Sequence, residues 1–403
     1  MTMQGGLQGR GEHRQTSGER IPRADGRRDD TLAEVSDTRQ VGAATSYYNR
    51  PMLKKPTWKW FIPFYIFIGG LGGGVALIGG LADLFGGRRH RATVRRARYI
   101  ALAAALISPL LLILDLGRPQ RFHHMLRVFK VSSPLSVGTW ILLAFGVTSG
   151  AQAARQAAED NFIVKRESRL GRLARLLPGK PLSLAQALLG LGLGGYTGIL
   201  LAATAIPLWA TAGLLLGPLF LATAVASGAA ALALLAGLRL GRSSHADVSD
   251  EDDEDEEEAR ADVETLATLS TATQLGLEIA REAVTPRTIG RPLRHGPWAT
   301  VYRVGAVGGG MLMPLALRLP AQLRGRPVGR ALSITAATLT LAGAVAERFA
   351  IVEAGKQSAD DPHAYQEFTA GKVGSARPTP EQQALMAPKT KGAKPHIAAK
   401  DTR

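Results

Sequence analysis

The sequence predicts an all-α fold, a polytopic transmembrane helix bundle of about eight spans, from three observations. Apolar residues collect in Gly-, Ala- and Leu-rich blocks that are each about 20 residues long, the length that crosses a bilayer. Arg-rich loops separate these blocks, as is typical of loops held on one side of a membrane. Polar segments without apolar periodicity flank the blocks at both ends of the chain.

Seven of the predicted spans are clear from hydropathy alone. They cover about residues 58–84, 99–114, 135–154, 182–205, 211–238, 300–319 and 331–352. Trp58 and Trp60 open the first span at the level where aromatic rings favour the membrane interface. The short link at Pro207 and Trp209 predicts that the fourth and fifth spans are antiparallel neighbours.

The segment 263–284 is ambiguous. Its apolar residues approximate a helical stripe, but Glu264, Gln274, Glu278 and Arg281 make it too polar to face lipid all round. It is either a marginal sixth span shielded by the bundle or an interfacial helix.

The domain boundaries follow from these changes in composition. Residues 1–56 are predicted to be a disordered polar N-terminal tail, residues 57–354 the transmembrane bundle, and residues 355–403 a polar C-terminal tail. A run of acidic residues predicts a solvated acidic loop at 243–260. The start of the chain has no apolar region of the signal-peptide kind, so we expect the first apolar helix to direct insertion.

The composition also excludes several function classes. The 403-residue chain has no Cys, so disulfides, zinc–thiolate sites and Cys-ligated iron–sulfur clusters are excluded. Its formal charge of +16 comes from residues that flank apolar spans, which favours the lipid bilayer as partner and not nucleic acid. With eight spans, the loops after spans one, three, five and seven hold more Lys and Arg, which predicts that they are cytoplasmic and that both termini are outside.

None of the histidines lies in the middle of a predicted span. A cytochrome b-type haem needs paired histidines inside facing helices. We therefore expect no intrinsic haem, no iron–sulfur cluster and no metal. The histidines are His13, His90, His123, His124, His245, His295, His363 and His396.

The stretch from Ser108 to Trp140 places many charges at the end of an apolar helix. Asp115 ends the second span, and Arg118 follows within reach of an ion pair that would fix the loop. The alternative is functional: Asp115 accepts a proton from a bound quinol, and His123 or His124 relays it outward, since histidine titrates near physiological pH.

The first span contains two overlapping G-x-x-x-G registers, Gly69/Gly73 and Gly70/Gly74. Small residues at this spacing let helices approach closely, and the alternative is that they leave room for a ligand. Tyr196 is a lone phenol among glycines in the fourth span, and its hydroxyl needs either a backbone carbonyl or a quinone carbonyl as partner.

Charged residues also lie within the later spans. Glu278 belongs to the ambiguous segment, while Glu347 and Arg348 lie in the last span, where charge is retained for pairing or proton movement. Adjacent helical positions do not face each other, so we expect Glu347 and Arg348 each to find a partner on another helix.

At these residues the sequence resembles the NrfD/PsrC family, the integral membrane subunits of polysulfide reductase-type complexes. The resemblance covers about residues 58–361 and lies in short segments: the glycine-rich first span, Asp115–Pro119 (DLGRP), Arg121–Phe129, Ser133–Trp140 (SPLSVGTW), Gly195–Gly198 with Pro207–Trp209, and Arg348 with Glu353–Gly355. The family's quinone-contacting residues on the first span are polar, whereas this span offers mainly Tyr65.

The resemblance implies a multi-pass subunit of a prokaryotic cytoplasmic membrane. It implies that the chain holds no cofactor and binds menaquinone or ubiquinone as substrate. Electrons would pass to or from a ferredoxin-like iron–sulfur subunit that serves a molybdopterin-type catalytic subunit. The expected roles are proton handling by Asp115, His123 and His124, quinone binding by Tyr65, Tyr196, Trp140 and Arg118, and partner docking by Arg121 and Arg127.

Two other functions stay open at this point. One is a proton-coupled transporter that uses Glu278, Glu347 and Arg348, although the sequence shows no internal repeat of the kind common in transporters. The other is a purely structural membrane anchor for a peripheral enzyme. Whether the protein itself is catalytic is therefore left undecided.

Overall fold

A computed structural model describes residues 53–161, 165, 167–239 and 250–375. Helices account for nearly all of the ordered secondary structure in this part of the chain. They are α1 (Phe61–Phe85), α2 (Arg91–Asp115), a 3₁₀ helix (Pro119–Leu126), α3 (Pro134–Asp160), α4 (Arg169–Leu176), α5 (Gly179–Ala202), α6 (Pro207–Thr211), α7 (Gly213–Arg239), α8 (Asp250–Val284), α9 (Arg291–Arg294), α10 (Pro297–Thr300), a π-helix (Val301–Leu312), α11 (Met313–Gln322), α12 (Arg330–Asp360) and α13 (Pro362–Ser375).

Seven helical segments in the described part of the chain are long and apolar enough to cross a membrane. They are α1, α2, α3, α5, α7, the continuous segment Pro297–Gln322 and α12. These are the seven clear spans predicted from hydropathy, so the predicted polytopic bundle is confirmed. The breaks follow local chemistry: Pro134 and Pro207 begin α3 and α6, and the Ser133 hydroxyl caps α3 by accepting from the Ser136 N–H.

Helix α8 contains the ambiguous residues 263–284. This part of α8 lies beside the span 297–322 for most of its length. Glu264, near the middle of α8, contacts Arg318, whereas Arg281, near the end of α8, contacts Tyr302. The two helices are therefore antiparallel over about 25 Å, given a rise of 1.5 Å per residue. This arrangement agrees with a polar span shielded by its neighbours and not with a helix lying across the end of the bundle.

Close helix packing explains the glycines of α1. A Cβ on Gly74 would overlap the Ala224 carbonyl of α7, and one on Gly73 would lie 2.7 Å from the Gly190 carbonyl of α5. The second half of each G-x-x-x-G register therefore serves backbone contact between helices, as the packing interpretation predicted.

The start of α8 corrects the prediction of an acidic loop. Residues 243–249 lie outside the described residues, but the chain is helical from Asp250 onward. Glu258 and Asp262 bind Arg89 at 3.0 and 2.8 Å, and Glu256 binds Arg96 of α2. Because basic side chains next to α1 and on α2 neutralise the carboxylates, this acidic run folds as a helix. We call this set of contacts the acidic clasp.

The predicted tail boundaries also shift. Residues 1–52 and 376–403 lie outside the described residues. Leu53 and Trp58 pack against the core, and the Trp58 ring stacks on Trp209 at 5.7 Å between centroids. Helix α12 continues to Asp360, where the carboxylate binds Lys55 at 3.0 Å. The folded unit is therefore longer at both ends than the sequence predicted, because polar residues beyond the spans pair with one another.

Candidate functional site

Two phenols are buried in the first half of the bundle. Tyr65 of α1 is 4% exposed and Tyr196 of α5 is 7% exposed, and α1 packs directly against α5. Neither hydroxyl forms a hydrogen bond with another residue in the described part of the protein. The backbone-carbonyl partner considered for Tyr196 is thus not found in this part of the structure.

Helices α2 and α3 complete the surroundings of these phenols. A Cβ on Gly69 would lie 3.7 Å from both the Tyr65 ring and the Ser108 hydroxyl of α2. Ser108 is completely buried, and its Oγ has no hydrogen-bond partner among the described residues. On the α3 side, the Tyr196 ring occupies the place that a side chain at Gly138 would take. We call Tyr65, Ser108, Gly138 and Tyr196 the phenol site.

Trp140, also predicted to contact quinone, lies on α3 two residues beyond Gly138. Its ring makes an edge contact with Phe129 of the preceding loop, with 6.0 Å between centroids. Its Nε1 is buried and has no hydrogen-bond partner in the ranges that the structure describes. Trp140 therefore joins α3 to the loop, and its free N–H remains an unused donor.

Asp115 connects the end of α2 to the entry of α1. Its Oδ1 accepts a hydrogen bond from the Lys59 backbone N–H at 3.0 Å. The ion pair expected with Arg118 does not form among the described residues. Helical geometry ends at Leu116, whose ψ is 127°, so the i, i+3 spacing that would bring the two side chains together is lost.

The 3₁₀ helix after Asp115 carries exposed side chains. His123 and His124 are exposed and lie 4.4 Å apart between ring centroids. Three arginines flank them, and none forms an ion pair with another described residue: Arg118, Arg121 and Arg127. This basic surface lies at the same end of the bundle as the phenol site, because Tyr65 is near the start of α1 and Tyr196 near the end of α5.

A second buried polar feature lies in the other half of the bundle, along α8. We call it the charged seam and define it by its ionisable members, Glu264, Glu278, Arg281, Arg318, Glu347 and Arg348. All six are at most 4% exposed. Ion pairs of this kind in an apolar environment persist only when each charge is paired and hydrogen-bonded.

The seam begins with a pair between α8 and α11. Arg318 Nε donates to Glu264 Oε2 at 2.7 Å. Arg318 also donates to the Thr340 hydroxyl at 3.3 Å, and the Ser333 hydroxyl donates to Glu264. Two residues of α12 therefore complete this pair.

Glu347 and Arg348 form the middle of the seam. Gln274 Nε2 and the Thr223 hydroxyl donate to Glu347 Oε2 at 2.8 and 3.0 Å. Arg348 donates to the Phe220 carbonyl at 3.2 Å, and its guanidinium lies 3.7 Å from the centre of the Phe220 ring. Both residues find partners on other helices, as predicted.

The prediction that Glu347 and Arg348 cannot pair with each other was wrong. Arg348 Nη1 lies 3.3 Å from Glu347 Oε1. The rule for adjacent helical positions concerns the directions of their Cβ atoms, whereas the long arginine side chain reaches back to its neighbour.

The third part of the seam joins α8 to the π-helix. Arg281 Nε donates to Glu278 Oε2 at 2.6 Å, the Tyr302 hydroxyl donates to the same oxygen at 2.7 Å, and Arg281 Nη2 lies 2.8 Å from the Tyr302 oxygen. Glu278 Oε1 is buried without a partner among the described residues. This oxygen is the open acceptor of the seam.

The sequence-based site missed Glu264, Arg281 and Arg318. The signal was present in α8, where buried polar residues recur at helical spacing: Arg260, Glu264, Thr268, Thr271, Gln274, Glu278 and Arg281. Such a polar stripe is the inverse of an amphipathic surface helix and indicates a helix whose polar face is turned inward.

A further polar network lies between α1, α2, α3 and α5, at the end opposite the phenol site. Asp83 accepts from Arg98 at 3.1 Å and from the Ser183 hydroxyl, which also accepts from Gln152 at 2.9 Å. Beside it is a cavity of about 10 Å³, lined in part by Gln152 and Gln186, whose carbonyl oxygens have no partner in the described ranges. A cavity of this size holds about one water molecule.

Outside the spans, the acidic clasp changes the pKa of Arg89. The hydrogen bond to Glu258, together with the charge of Asp262, raises the pKa of Arg89 above its ordinary value. Within the described ranges, no three His, Asp or Glu side chains are placed to hold a metal ion.

The fold and these buried polar groups define a polytopic helical membrane protein. A family model described as "Polysulphide reductase, NrfD" matches residues 49–359. The protein therefore belongs to the NrfD family. It is also 28% identical over 319 residues to the C subunit of polysulfide reductase from Wolinella succinogenes, an alignment that covers 74% of this sequence and 94% of that protein.

Proposed function

We propose that this protein is the quinone-reactive membrane subunit of a multi-subunit oxidoreductase of the polysulfide reductase type. It binds a menaquinone or ubiquinone as substrate and passes electrons between the quinone pool and a ferredoxin-like iron–sulfur subunit. That subunit serves a molybdopterin-type catalytic subunit. The observation that carries the proposal is the phenol site, inside the spans of an NrfD-family member, where the Ser108 hydroxyl and the hydroxyls of the buried Tyr65 and Tyr196 have no hydrogen-bond partner among the described residues.

The donors of the phenol site suit a quinone chemically. Buried hydroxyl groups without hydrogen bonds are costly, and a ligand that accepts hydrogen bonds removes that cost. The Tyr65, Tyr196 and Ser108 hydroxyls would donate to quinone carbonyl oxygens, while the surrounding apolar helices would contact the ring. Bound quinone would supply the two-electron chemistry, and the protein would orient it and exclude water.

The exposed basic loop supports docking of the partner at the same end. In this proposal Arg118, Arg121 and Arg127 bind acidic groups of the iron–sulfur subunit, which places its cluster near the phenol site. Asp115 lies at that end as well and would accept protons released on quinol oxidation, with His123 or His124 relaying them to the outer solution.

The test uses the complex purified through a tag on this subunit. We expect quinone and an iron–sulfur protein in the eluate, and a Tyr196→Phe variant that oxidises a quinol analogue at least tenfold more slowly. Tyr365→Phe, on α13 away from the phenol site, is the matched control and should retain full activity. If the eluate contains the iron–sulfur protein but no quinone, and the complex does not oxidise the quinol analogue, the proposal fails and the structural anchor remains. Quinol oxidation that Tyr196→Phe leaves unchanged would remove Tyr196 from quinone binding.

The charged seam favours a second activity, proton movement through the second half of the bundle. Its pairs lie at three levels along α8, and in the pair nearest the end of that helix Glu278 Oε1 has no hydrogen-bond partner among the described residues. In this hypothesis Glu347 and Glu278 exchange protons through Gln274 and enclosed water.

Reconstitution in liposomes with an enclosed pH dye would test this hypothesis. Glu347→Gln should lower the number of protons moved per quinol oxidised and leave quinol oxidation itself within twofold. Glu353→Gln is the control on the same helix, since the ion pair of Glu353 with Lys356 is more exposed than that of Glu347 with Arg348. An unchanged proton ratio in the Glu347→Gln variant would make the seam purely structural.

A further inference from the structure

Helix α4 divides its eight residues among three faces. Gly171 and Ala174 are buried against the bundle. Three leucines, Leu170, Leu173 and Leu176, are 71%, 63% and 79% exposed. At about 100° per residue these leucines occupy about a third of the helix circumference, and the arginines occupy the adjacent third, with Arg169 at the boundary between the two faces. The exposed arginines are Arg169, Arg172 and Arg175.

The orientation of α4 is fixed at both ends. The Ser168 hydroxyl caps it by accepting from the Gly171 N–H at 3.0 Å. At the other end, Arg155 Nη1 of α3 donates to the Leu177 carbonyl at 2.8 Å, and Pro178 follows directly. The helix is therefore held where α3 ends and α5 begins, with its apolar and basic faces turned outward together.

The basic face has no partner within the described part of the protein. None of its three arginines forms an ion pair there, although arginines elsewhere in the protein do. Together with Leu173 and Leu176 they line an open groove of about 590 Å³. Guanidinium groups bind phosphate through paired N–H donors, and leucines beside them suit the acyl chains that adjoin phosphate in a bilayer.

We propose that α4 is an interfacial helix that binds the headgroups of anionic phospholipids. Its leucines enter the boundary between headgroups and acyl chains, and its arginines pair with lipid phosphates above them. The Arg-rich loops place this end of the bundle at the cytoplasmic leaflet, where anionic lipids give a negative surface potential. The inference is independent of quinone binding.

Lipid retention tests the basic face. The complex would be purified in mild detergent from membranes that contain phosphatidylglycerol and phosphatidylethanolamine, and the bound lipids counted by mass spectrometry. The triple variant Arg169→Gln, Arg172→Gln, Arg175→Gln should retain several-fold less phosphatidylglycerol, since each basic residue near an anionic surface contributes roughly a fivefold preference. Phosphatidylethanolamine should be unchanged.

The matched control removes the same charge from the opposite end of the bundle, through Arg118→Gln, Arg121→Gln and Arg127→Gln. This variant should keep its bound phosphatidylglycerol. If both triple variants retain the lipid fully, the proposal is overturned. It is also overturned if the α4 variant keeps its lipid but loses a co-purifying protein, because the basic face would then be a protein-docking surface.

A second measurement tests the apolar face without changing charge. In nanodiscs that contain lipids brominated on the acyl chain, the added fluorescence of a Leu173→Trp variant should be quenched strongly. The added fluorescence of an Arg172→Trp variant should be quenched at least threefold less, because position 172 faces the headgroups. Equal quenching at the two positions would contradict the three-face arrangement.

Discussion

The guanidinium of Arg318 is completely buried and lies 2.7 Å from the carboxylate of Glu264, which is 2% exposed. This pair joins α8 to α11 within the apolar thickness of the bundle. Helix α8 is too polar to cross a membrane alone. It can lie among the apolar spans because each of these two charges is paired with an opposite charge inside the protein.

Breaking this pair should be strongly destabilising. Arg318→Met leaves the Glu264 carboxylate buried without its counter-charge, so we expect a loss of about 3–5 kcal/mol in the free energy of unfolding. The double variant Glu264→Met, Arg318→Met should lose less than the single variant, since no charge is left unpaired. Unfolding by denaturing detergent, followed by far-ultraviolet circular dichroism, measures both. The exposed pair of Lys55 and Asp360 is the control, and its removal should cost below about 1 kcal/mol.

Gly138→Ala should disturb the phenol site specifically. The new methyl group would overlap the Tyr196 ring, so either the ring or α3 must move. We expect quinol oxidation by the purified complex to fall at least tenfold, with the helical content retained. Gly146→Ala on the same helix is the control, because a Cβ there meets no other atom within 4 Å. Full activity of Gly138→Ala would show that the position of the Tyr196 ring does not affect quinol oxidation.

Gly355→Ala should destabilise the contact between α12 and α6. The Trp209 indole lies over Gly355 and donates from Nε1 to the Ile351 carbonyl at 2.9 Å. An added methyl group forces the fully buried ring away, and overpacking of this kind costs about 1–3 kcal/mol. A lower thermal midpoint would confirm it. Gly276→Ala, in open space on α8, should raise stability slightly, since Ala is the better helix former by about 1 kcal/mol.

Variants of Asp115 separate its structural and chemical roles. Asp115→Asn keeps an oxygen that can accept the Lys59 N–H but removes the charge, whereas Asp115→Leu removes both. If Asp115 accepts protons, Asp115→Asn should slow quinol oxidation at least tenfold at unchanged thermal stability. If Asp115 only fixes the entry of α1, Asp115→Asn should be fully active and Asp115→Leu alone should lose stability. The pH dependence of the rate in each variant would complete the comparison.

Within the acidic clasp, Glu256 should matter more than the residues that bind Arg89. The Arg96 side chain is 8% exposed, so Glu256→Gln leaves a nearly buried guanidinium with a weaker partner and should cost about 1–3 kcal/mol. Arg89 is exposed, and Arg89→Gln should change the thermal midpoint little. Comparing the two midpoints at low and high salt measures the difference, and a larger effect of Arg89→Gln would contradict the burial argument.

Hydropathy was sufficient to predict most of the fold. The seven clear spans depend on composition over about 20 residues, a signal that local detail does not erase. It could not place α8, because Glu264 and Glu278 appear as polar residues until Arg318 and Arg281 are known to neutralise them. The acidic run predicted a loop at 243–260, since the partners of its carboxylates lie far away in sequence, on α2 and in the loop before it.

The candidate site was predictable only in part. Tyr196 could be chosen because a phenol within an apolar span is unusual, and Tyr65 could be chosen from the family resemblance. The contributions of Gly138 and Ser108 need the packing of four helices. The expected Asp115–Arg118 pair failed because spacing along the sequence assumes a helix that in fact ends at Asp115. Docking by Arg121 and Arg127 stays a prediction.

The acidic clasp has a consequence for how the protein is made. Helix insertion follows synthesis, so α1 and α2 enter the membrane long before residues 250–262 leave the ribosome. Until then Arg89 and Arg96 have no counter-charges from α8. The α1–α2 hairpin therefore lacks these ion pairs until the start of α8 has been synthesised and can bind it. A ribosome stalled before Asp250 should leave a protease-sensitive intermediate, and translation past Asp262 should protect it.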